Sequence, residues 1–319
     1  MPDIFAFSCL HPALKRSPLL NLMKIPDRFA PQIAKAAVLV EALPYMQQFR
    51  DQTFLIKFGG SAMDDPVLVE NLLRDIVFLE AVGINPVVVH GGGKAISKAM
   101  EVAGLEARFV GGFRITDRDA IEIVEETLST VINPGLVEAI NEQGGRAVGI
   151  PGSEVFRAER IRGEDPETGK PVDIGYVGQV AYSETAAIEE AIAQHMVPVV
   201  SPVAREVTSG ACLNVNADLA ASALARHLRA AKLIYLSDVA GVLKEKDDAA
   251  TLVSTLVSDS VEAFIEEGVI AGGMIPKVRS AVEAIDAGVG KVHLIDGRLP
   301  HSLILEVFTD LGIGTEIIP

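Results

Sequence analysis

Two lysines beside glycine-rich turns are the residues of this sequence best suited to the chemistry of polyanions. Lys57 follows the apolar run 54–56 and precedes Gly59-Gly60, and Lys277 follows Gly272-Gly273. Glycines between a strand and a helix let peptide N–H groups approach an anion closely, and the helix N-terminus adds a partial positive charge. We therefore predict that each turn forms half of one phosphate site, with its lysine supplying a full charge.

Other polar residues occupy similar positions, but each has a simple structural explanation when it is taken alone. The turn Gly91-Gly92-Gly93 follows an apolar strand, which more often indicates tight backbone packing than ligand binding. His90 beside it is better interpreted as a structural hydrogen bonder than as a base. Arg114 follows the glycines of a predicted hairpin, and the segment 213–218, LNVNAD, precedes an alanine-rich helix. Its Asn and Asp residues are also typical of helix capping.

The elements that must position these residues alternate between strands and helices. Strands near 54–57 and 84–90 each run into glycines and then a helix, and the pattern restarts at residue 232. This order is typical of a parallel sheet that binds ligands at the carboxyl ends of its strands. Residues 146–182 are rich in β-forming residues and predict an antiparallel patch appended to that sheet. A helix over 31–49 contains Pro44, which we expect to kink or break it.

Several common catalytic motifs are absent from the sequence. There is no Walker A pattern and no GxGxxG fingerprint, so P-loop and dinucleotide sites are not favoured. Neither an H-E-x-x-H motif nor a cysteine cluster indicates zinc, and no GxSxG motif indicates an α/β-hydrolase.

Composition narrows the class of protein further. The 319 residues carry a net charge of −15, from 28 basic and 43 acidic side chains. This balance argues against nucleic acid or an anionic membrane surface as a partner, but leaves room for a local cationic pocket. A hydrophobic content of 49% and a mean hydropathy of +0.32 indicate a folded chain. Cys9 and Cys212 show no metal-type spacing, which favours a reducing, cytoplasmic location, and no apolar run reaches transmembrane length.

Six motifs that follow one another in a fixed order are a more specific signal of function than any single residue. They are KFGGSA (57–62), VVVHGGG (87–93), GFRIT (112–116), LNVNAD (213–218), LSDVAGV (236–242) and GGMIPKV (272–278). The series resembles the amino-acid kinase superfamily, and within it the branch that phosphorylates the side-chain carboxylate of N-acetyl-L-glutamate in arginine synthesis. The resemblance spans residues 31 to 319. It implies an α/β fold with an open, mainly parallel eight-stranded sheet sandwiched between helices, preceded by a kinked N-terminal helix.

The resemblance also implies a role for each matching residue. ATP would be the phosphoryl donor, with Mg²⁺ as its companion ion, and no protein metal site is expected. Lys57 and Lys277 would flank the transferred phosphoryl group, and Asp218 would orient both lysines. The acyl amino acid would be held by Gly92, Gly93, Arg114 and Asn214, with Arg114 on its α-carboxylate. The nucleotide would be bordered by Gly59, Gly60, Ser237, Asp238, Gly241 and Gly273.

Domain organisation and partners follow from the same resemblance. We expect a disordered leader over 1–30, an oligomerisation helix over 31–52, an N-lobe that binds the acyl amino acid over 53–228, and an ATP-binding C-lobe over 229–319. The helix and the C-terminal run 301–318 resemble the branch that L-arginine inhibits and that forms hexamers as trimers of dimers. A nitrogen-signalling protein is a further candidate partner.

Two alternatives stay open at this level. A kinase of the same superfamily could act on another carboxylate, on carbamate, on a nucleotide or on carrier-bound aminoadipate. A non-catalytic arginine-sensing module, such as the kinase-like domain of some acetylglutamate synthases, would also resemble these motifs. The presence of Lys57, Asp218 and Lys277 together favours the catalytic interpretation.

Overall fold

The computed structural model describes residues 29–63, 65–165, 168–245, 248–309 and 312–319. It separates into a unit that ends at Pro44 and a larger unit, Tyr45–Pro319. The predicted leader lies almost wholly outside the described residues. The predicted boundary between an N-lobe and a C-lobe at residue 228 stays a prediction, since one sheet runs through both stretches.

An open sheet of eight strands forms the centre of the larger unit. Its order is β14-β16-β15-β13-β1-β2-β10-β5, and every neighbouring pair is parallel except β15 with β16. The predicted mainly parallel, eight-stranded sheet is thus confirmed. In chain order its strands are β1 (Thr53–Phe58), β2 (Asn85–His90), β5 (Ala147–Ile150), β10 (Val197–Val200), β13 (Lys232–Ser237), β14 (Thr255–Val257), β15 (Lys291–Asp296) and β16 (Thr315–Ile318).

Helices alternate with the strands along the chain, and their bounds follow the sequence signals closely. They are α1 (Ala30–Phe49), α2 (Pro66–Ala81), α3 (Gly93–Val102), α4 (Arg118–Glu125), α5 (Asn133–Glu142), α6 (Gly152–Val155), α7 (Ala186–Ala193), α8 (Ala217–Leu228), α9 (Val261–Glu266), α10 (Met274–Asp286) and α11 (Ser302–Val307). Within the described ranges, none of them is long and apolar enough to cross a membrane.

Burial explains why the central strands read as continuous apolar runs. In β1 the side chains of Phe54, Leu55 and Ile56 are fully buried, as are most of those in β2 and β13. A parallel sheet is covered on both faces, so both alternating sets of side chains must be apolar. Polar residues therefore collect at the strand ends, which is where Lys57 and Ser237 lie.

The antiparallel pairing predicted over 146–182 is confirmed for Phe156–Arg160 with Val177–Ser183, but the extent of the patch and its closure were not predicted. Strand β5 belongs to the main sheet, and four other strands close into a small barrel of order β11-β12-β9-β6 with both parallel and antiparallel pairs. Its strands are β6 (Phe156–Arg160), β9 (Val177–Ser183), β11 (Val203–Glu206) and β12 (Cys212–Val215). Closure depends on partners from residues 203–215, which lie outside the stretch whose composition suggested the patch. Two short hairpins, β3 (Phe109–Val110) with β4 (Phe113–Arg114) and β7 (Gly163–Glu164) with β8 (Pro171–Val172), complete the strands.

Pro44 does not break the N-terminal helix. Helix α1 continues from Ala30 to Phe49 with Pro44 inside it. A proline removes the hydrogen bond to the carbonyl four residues earlier, here that of Val40. Val40 is 67% exposed, so water can hydrate its carbonyl in place of the lost hydrogen bond. The helix can therefore continue through Pro44. Residues 31–41 of this helix are all exposed, including the apolar positions that we expected to need a partner.

Candidate active site

The two predicted lysines meet on one carboxylate. Lys57 Nζ lies 2.9 Å from Asp218 Oδ1, and Lys277 Nζ lies 3.0 Å from Asp218 Oδ2. Lys57 comes from β1, Asp218 is the second residue of α8, and Lys277 is in the first turn of α10. Three stretches far apart in sequence thus converge on one point, and we call these residues the double-lysine cluster.

Local sequence explains the position of Asp218. Asn216 is the N-cap of α8, and its side-chain oxygen accepts hydrogen bonds from the N–H groups of Asp218 (2.8 Å) and Leu219 (3.3 Å). The cap fixes the start of the helix, and a carboxylate in the first turn is favoured by the helix dipole. The two roles that LNVNAD left open therefore coexist, because Asn216 caps and Asp218 contacts the lysines.

The cluster carries a surplus of positive charge. Burial alone would raise the pKa of Asp218, but the charges of Lys57 and Lys277 outweigh this and hold its pKa below the ordinary value. Asp218 is therefore ionised at neutral pH, and its lowered pKa makes it a weak base. Two ammonium groups against one carboxylate leave a net charge of +1. Such a group is suited to bind and stabilise phosphoryl oxygens.

Gly59 makes room for the Lys57 side chain. A Cβ atom at position 59 would lie 2.7 Å from Lys57 Nζ and 3.1 Å from its Cε, closer than real side chains approach. Gly60 begins the short 3₁₀ turn Gly60–Met63, which leads toward α2. Gly59 is thus favoured by the approach of the lysine, whereas Gly60 has open space at its Cβ position and a φ of +73° that favours glycine.

A cavity of about 1050 Å³ opens beside the cluster. Predicted site residues among those that line it are Lys57, Gly60, Gly92, Gly93, Arg114, Asn214, Asp218 and Asp238. Four other predicted residues, Gly59, Ser237, Gly241 and Gly273, are not in its lining, and Lys277 reaches it only through Asp218. The structure therefore brings together the predicted catalytic and acyl-binding residues more completely than the nucleotide-binding ones.

Arg114 is a buried cation at the wall of this cavity. Its side chain donates hydrogen bonds to Gly93 O (2.7 Å) and Ser97 Oγ (2.8 Å), and its guanidinium lies 4.7 Å from the centroid of the Phe109 ring. Burial lowers the pKa of Arg114 from its ordinary value, but arginine remains charged at neutral pH. Across the described ranges its side chain forms no ion pair with a carboxylate. A buried guanidinium that lacks a protein carboxylate is suited to an anionic ligand.

Gly92 lies against a helical irregularity that the sequence did not indicate. Helices α4 and α5 are joined by a π-helical segment, Glu126–Ile132. A Cβ atom at position 92 would lie 2.6 Å from Leu128 Cδ2 and 2.7 Å from Ile132 Cδ1, both in this segment. Only glycine fits there, so the π segment can support the Gly92-Gly93 backbone that opens α3.

Asn214 is tied to Arg114 through a threonine that the sequence analysis missed. Asn214 Nδ2 donates to Thr116 Oγ1 (3.1 Å), which in turn donates to the carbonyl of Arg114 (2.9 Å). Thr116 is fully buried, and it lies in the GFRIT motif without any spacing that signals this role. Ser97, which accepts from Arg114, was missed for the same reason.

The predicted nucleotide-binding residues lie on loops after β13 and before α10. Ser237 ends β13, and Asp238 follows it at the edge of the cavity. Gly241 packs against Thr315, because a Cβ atom there would lie 2.5 Å from Thr315 Oγ1. Gly273 is the N-cap position of α10, with open space where a side chain would be. Their binding roles stay predictions.

His90 is confirmed as a structural hydrogen bonder. It is fully buried, its Nδ1 lies 2.8 Å from Gly91 O, and Asn133 Nδ2 lies 3.3 Å from its Nε2. Burial lowers the pKa of His90 to about 4, so the imidazole is neutral at pH 7. A neutral ring that donates from Nδ1 and accepts at Nε2 satisfies both contacts.

Comparison with known proteins links this site to a family. A model of the "Amino acid kinase family" matches residues 52–296, a range that contains the whole double-lysine cluster. The chain is 58% identical over 286 residues to an acetylglutamate kinase of Akkermansia muciniphila, with 90% of this chain and 96% of that relative covered. It is 48% identical over 295 residues to an acetylglutamate kinase of Aquifex aeolicus, with 89% and 98% covered.

A solved structure with the same fold belongs to a different enzyme. It is N-acetylglutamate synthase of Neisseria gonorrhoeae, complexed with coenzyme A and N-acetyl-glutamate. The TM-score is 0.77 at 25% sequence identity, and the match covers 89% of this chain but 63% of the synthase chain. The chain therefore spans less than two thirds of that protein, whereas it spans nearly the whole length of the kinases.

Proposed function

Since the chain belongs to the amino acid kinase family and is an enzyme of its acetylglutamate kinase branch, we propose that it transfers the γ-phosphoryl group of ATP to the side-chain carboxylate of N-acetyl-L-glutamate. The product is N-acetyl-L-glutamyl 5-phosphate, an intermediate of arginine synthesis. The observation that carries this proposal is the pair of lysines on Asp218 at the wall of a cavity that also contains Arg114.

The acceptor needs no general base. A glutamate side chain with a pKa near ~4.3 is already ionised at neutral pH, so it attacks phosphorus directly. The obstacle is the repulsion between this carboxylate and the phosphates of ATP. Lys57 and Lys277 reduce that repulsion and stabilise the charge that spreads over the transferred group in the transition state. Asp218 contributes by holding both ammonium groups in place.

The opposite end of the acyl amino acid would lie on Arg114. The α-carboxylate supplies the negative charge that the buried guanidinium lacks, and the N–H groups at the start of α3, near Gly92 and Gly93, add donors at a helix N-terminus. Asn214, held by Thr116, would bind the amide of the acyl group. This arrangement directs the side-chain carboxylate toward Lys57, which lines the same cavity.

The nucleotide would enter from the side of Gly59, Gly60 and the loops that contain Ser237, Asp238, Gly241 and Gly273. Mg²⁺ would accompany it. No group of three or more His, Cys, Asp or Glu side chains is arranged for a metal ion in the described part of the chain. In kinases magnesium is usually held largely by substrate phosphates, with one or two carboxylates and water. When bound, the ion would neutralise part of the phosphate charge.

Trapping the acyl phosphate tests this function. Incubation of the protein with ATP, Mg²⁺, hydroxylamine and N-acetyl-L-glutamate should yield a coloured hydroxamate, whereas L-glutamate should yield little. A Lys57→Met variant, which keeps the length of the side chain but removes its charge, should reduce the signal strongly. Activity with carbamate or another carboxylate alone would select a different kinase of the family. Complete inactivity together with arginine binding would select a sensing module of the kind found in synthases.

We also propose that the protein forms a homo-oligomer through α1, with a hexamer as the expected assembly and L-arginine as an inhibitor. Three consecutive apolar residues of this helix, Val38, Leu39 and Val40, are 64%, 63% and 67% exposed. An apolar stretch of this kind usually marks a protein contact. A cytoplasmic location and docking of a nitrogen-signalling protein stay predictions.

Light scattering after size exclusion tests the role of α1. A Leu39→Glu, Val40→Glu double variant should form a smaller species than the wild-type protein. Val102→Glu, at an apolar position that is 83% exposed on α3, is the matched control and should leave the mass unchanged. An unchanged mass in the double variant would contradict the proposal. Inhibition of the wild type by arginine in the hydroxamate assay is a separate measurement.

A further inference from the structure

A tyrosine beneath the double-lysine cluster contacts two of its members. Tyr235 lies in β13, is fully buried, and is paired in register with Lys57 of the adjacent parallel strand β1. Residues paired across parallel strands project to the same face of a sheet. Helix α8 packs on β1 and β13, and α10 packs on α8. The ring of Tyr235 is therefore enclosed between the sheet and the two helices that carry Asp218 and Lys277.

The ring face contacts the ammonium group of Lys277. Lys277 Nζ lies 5.4 Å from the centroid of the Tyr235 ring. This is within the range of about 6 Å at which the negative face of an aromatic ring attracts a cation. The Lys277 side chain is only 15% exposed, so water weakens this attraction less than at a surface.

The hydroxyl of the same tyrosine contacts the Asp218 backbone. Tyr235 O–H donates a hydrogen bond of 3.3 Å to the carbonyl oxygen of Asp218. Burial, with the nearby charge of Asp218, raises the pKa of the Tyr235 phenol, so the ring stays neutral and its hydroxyl remains a donor. One side chain thus supports both the helix that holds the carboxylate and the lysine that the carboxylate binds.

Lysine needs such support, because its four-carbon chain has many rotamers. Asp218 holds Lys277 by a single contact at 3.0 Å, and a carboxylate alone allows the ammonium group to swing about it. The ring face is a second contact of the ammonium group and restricts Nζ further. Lys57 needs less support, since it extends directly from the rigid strand β1.

We propose that Tyr235 is a positioning residue for phosphoryl transfer, which holds Lys277 against Asp218 through the face of its ring and holds the start of α8 through its hydroxyl. The proposal rests on the function proposed above, in which Lys277 stabilises the transferred phosphoryl group. Because it acts through Lys277, Tyr235 should influence turnover more than the binding of either substrate.

Substitution of the ring tests this inference. Tyr235→Leu should lower kcat about 3- to 30-fold, with the KM for ATP and for the acyl amino acid changed less than about twofold. Tyr235→Phe keeps the ring and removes only the hydroxyl, so its kcat should lie above that of Tyr235→Leu. If Tyr235→Leu does not fold, Tyr235→Met replaces it, because an unbranched side chain fills an irregular gap more easily. Phe156→Leu, at a fully buried ring of the small barrel, is the matched control.

A double-mutant cycle distinguishes positioning from general stability. In a Lys277→Met background, the loss of kcat from Tyr235→Phe to Tyr235→Leu should be less than about twofold, because both variants lack the hydroxyl and the group on which the ring acts is gone. The same loss in both backgrounds would mean that the ring acts independently of Lys277, and the proposal would be wrong.

Acylation of Lys277 gives a readout that does not depend on activity. Brief treatment with acetic anhydride at pH 8, followed by peptide mass spectrometry, should label Lys277 faster in Tyr235→Leu than in the wild type or in Phe156→Leu. An equal labelling rate in all three proteins would overturn the proposal. If the wild type makes no acyl phosphate, the proposed function fails, but the labelling result still decides whether Tyr235 positions Lys277.

Discussion

Two clusters of lysine and carboxylate lie toward opposite ends of the strands of the central sheet. They differ in charge balance. The double-lysine cluster places two ammonium groups on Asp218. The other, which we call the His293 cluster, places Lys232 Nζ 3.0 Å from His293 Nε2, with His293 Nδ1 2.6 Å from Glu306 Oε1. One lysine and one carboxylate balance there, with a histidine between them.

The His293 cluster is also the more deeply buried of the two. The three residues of the His293 cluster are all at most 8% exposed, and Lys232 also lies over the rings of Phe49 and Phe54. Burial lowers the pKa of Lys232 to about 8, and it lowers the pKa of His293, so the imidazole is neutral and can link the two charged groups. A surplus charge beside a cavity can act on a substrate, whereas a balanced, buried network chiefly affects folding.

Removal of a surplus charge should give the largest effect. Lys57→Ala should lower kcat about 10²- to 10³-fold, the usual loss for one preorganised group that stabilises a transition state. The KM values should change much less, because Lys57 acts on the group in transfer. Steady-state kinetics in the hydroxamate assay measure both. Lys291→Ala, a lysine at the other end of the sheet that pairs with Glu316 on the surface, should leave both parameters near wild type. Turnover that survives Lys57→Ala would remove the distinction between the clusters.

Substitution of Arg114 should weaken the binding of the acyl amino acid more than it lowers turnover. Arg114→Lys keeps the charge but loses the planar fork that a carboxylate binds, so the KM for N-acetyl-L-glutamate should rise about 10- to 100-fold. The kcat should fall less, and the KM for ATP should be nearly constant. Arg160→Lys is the control, because that arginine already has Glu206 as its partner. A loss confined to kcat would place Arg114 with the lysines and not with the acyl amino acid.

The His293 cluster should respond in stability. Glu306 accepts from His293 at one oxygen and from the N–H of Ile313 at the other (2.7 Å). Glu306→Gln therefore removes the main carboxylate charge that acts on Lys232 and leaves one donor unpaired. The free energy of unfolding should fall by about 3 kcal/mol, as measured by urea denaturation. Glu316→Gln, in an exposed pair with Lys291, should cost less than about 1 kcal/mol. A fall in kcat without a fall in stability would contradict the comparison.

The sequence allowed one cluster to be predicted and not the other, for a physical reason. Lys57, Asp218 and Lys277 each lie beside a glycine turn or a helix start, where a charged residue is locally conspicuous. Lys232 begins β13 and His293 lies within β15, and both strands read as apolar runs. The two residues meet because β13 and β15 pair in parallel with Ile234 beside His293. Lys232 lies two residues before Ile234 and on the same face of the strand, so its side chain can reach the histidine. Contacts of this kind depend on register and on helix placement, which local patterns do not encode.

The fold shows the same division between local and long-range determinants. The parallel sheet was predictable, because each strand–glycine–helix unit is a local pattern that repeats. The π segment over 126–132 was not, because it depends on how Leu128 and Ile132 meet Gly92 across the fold. Closure of the small barrel and the buried position of Tyr235 under Lys277 are likewise results of tertiary packing.

His90, a buried histidine at the carboxyl end of β2, should give the most specific effect, a change in the pH dependence of stability. His293 lies between two charged groups, whereas the hydrogen-bond partners of His90 are Gly91 O and the Asn133 amide. Since the pKa of His90 is about 4 in the folded protein and ~6.5 in an unfolded chain, the unfolded state binds one more proton between these values. Stability must therefore rise with pH across this window and fall as the solution is acidified.

The full contribution of His90 corresponds to about 3 kcal/mol, with a slope of about 1.4 kcal/mol per pH unit in the middle of the window. Urea denaturation of wild type and His90→Asn between pH 4 and 6.5 measures it, and the variant should show the shallower slope even if its absolute stability is lower. His195→Asn is the control, because that exposed histidine has φ +54°, a conformation that asparagine tolerates. An unchanged slope in His90→Asn would mean that burial does not keep His90 neutral. His90 and His293 would then not differ in the way that their different neighbours imply.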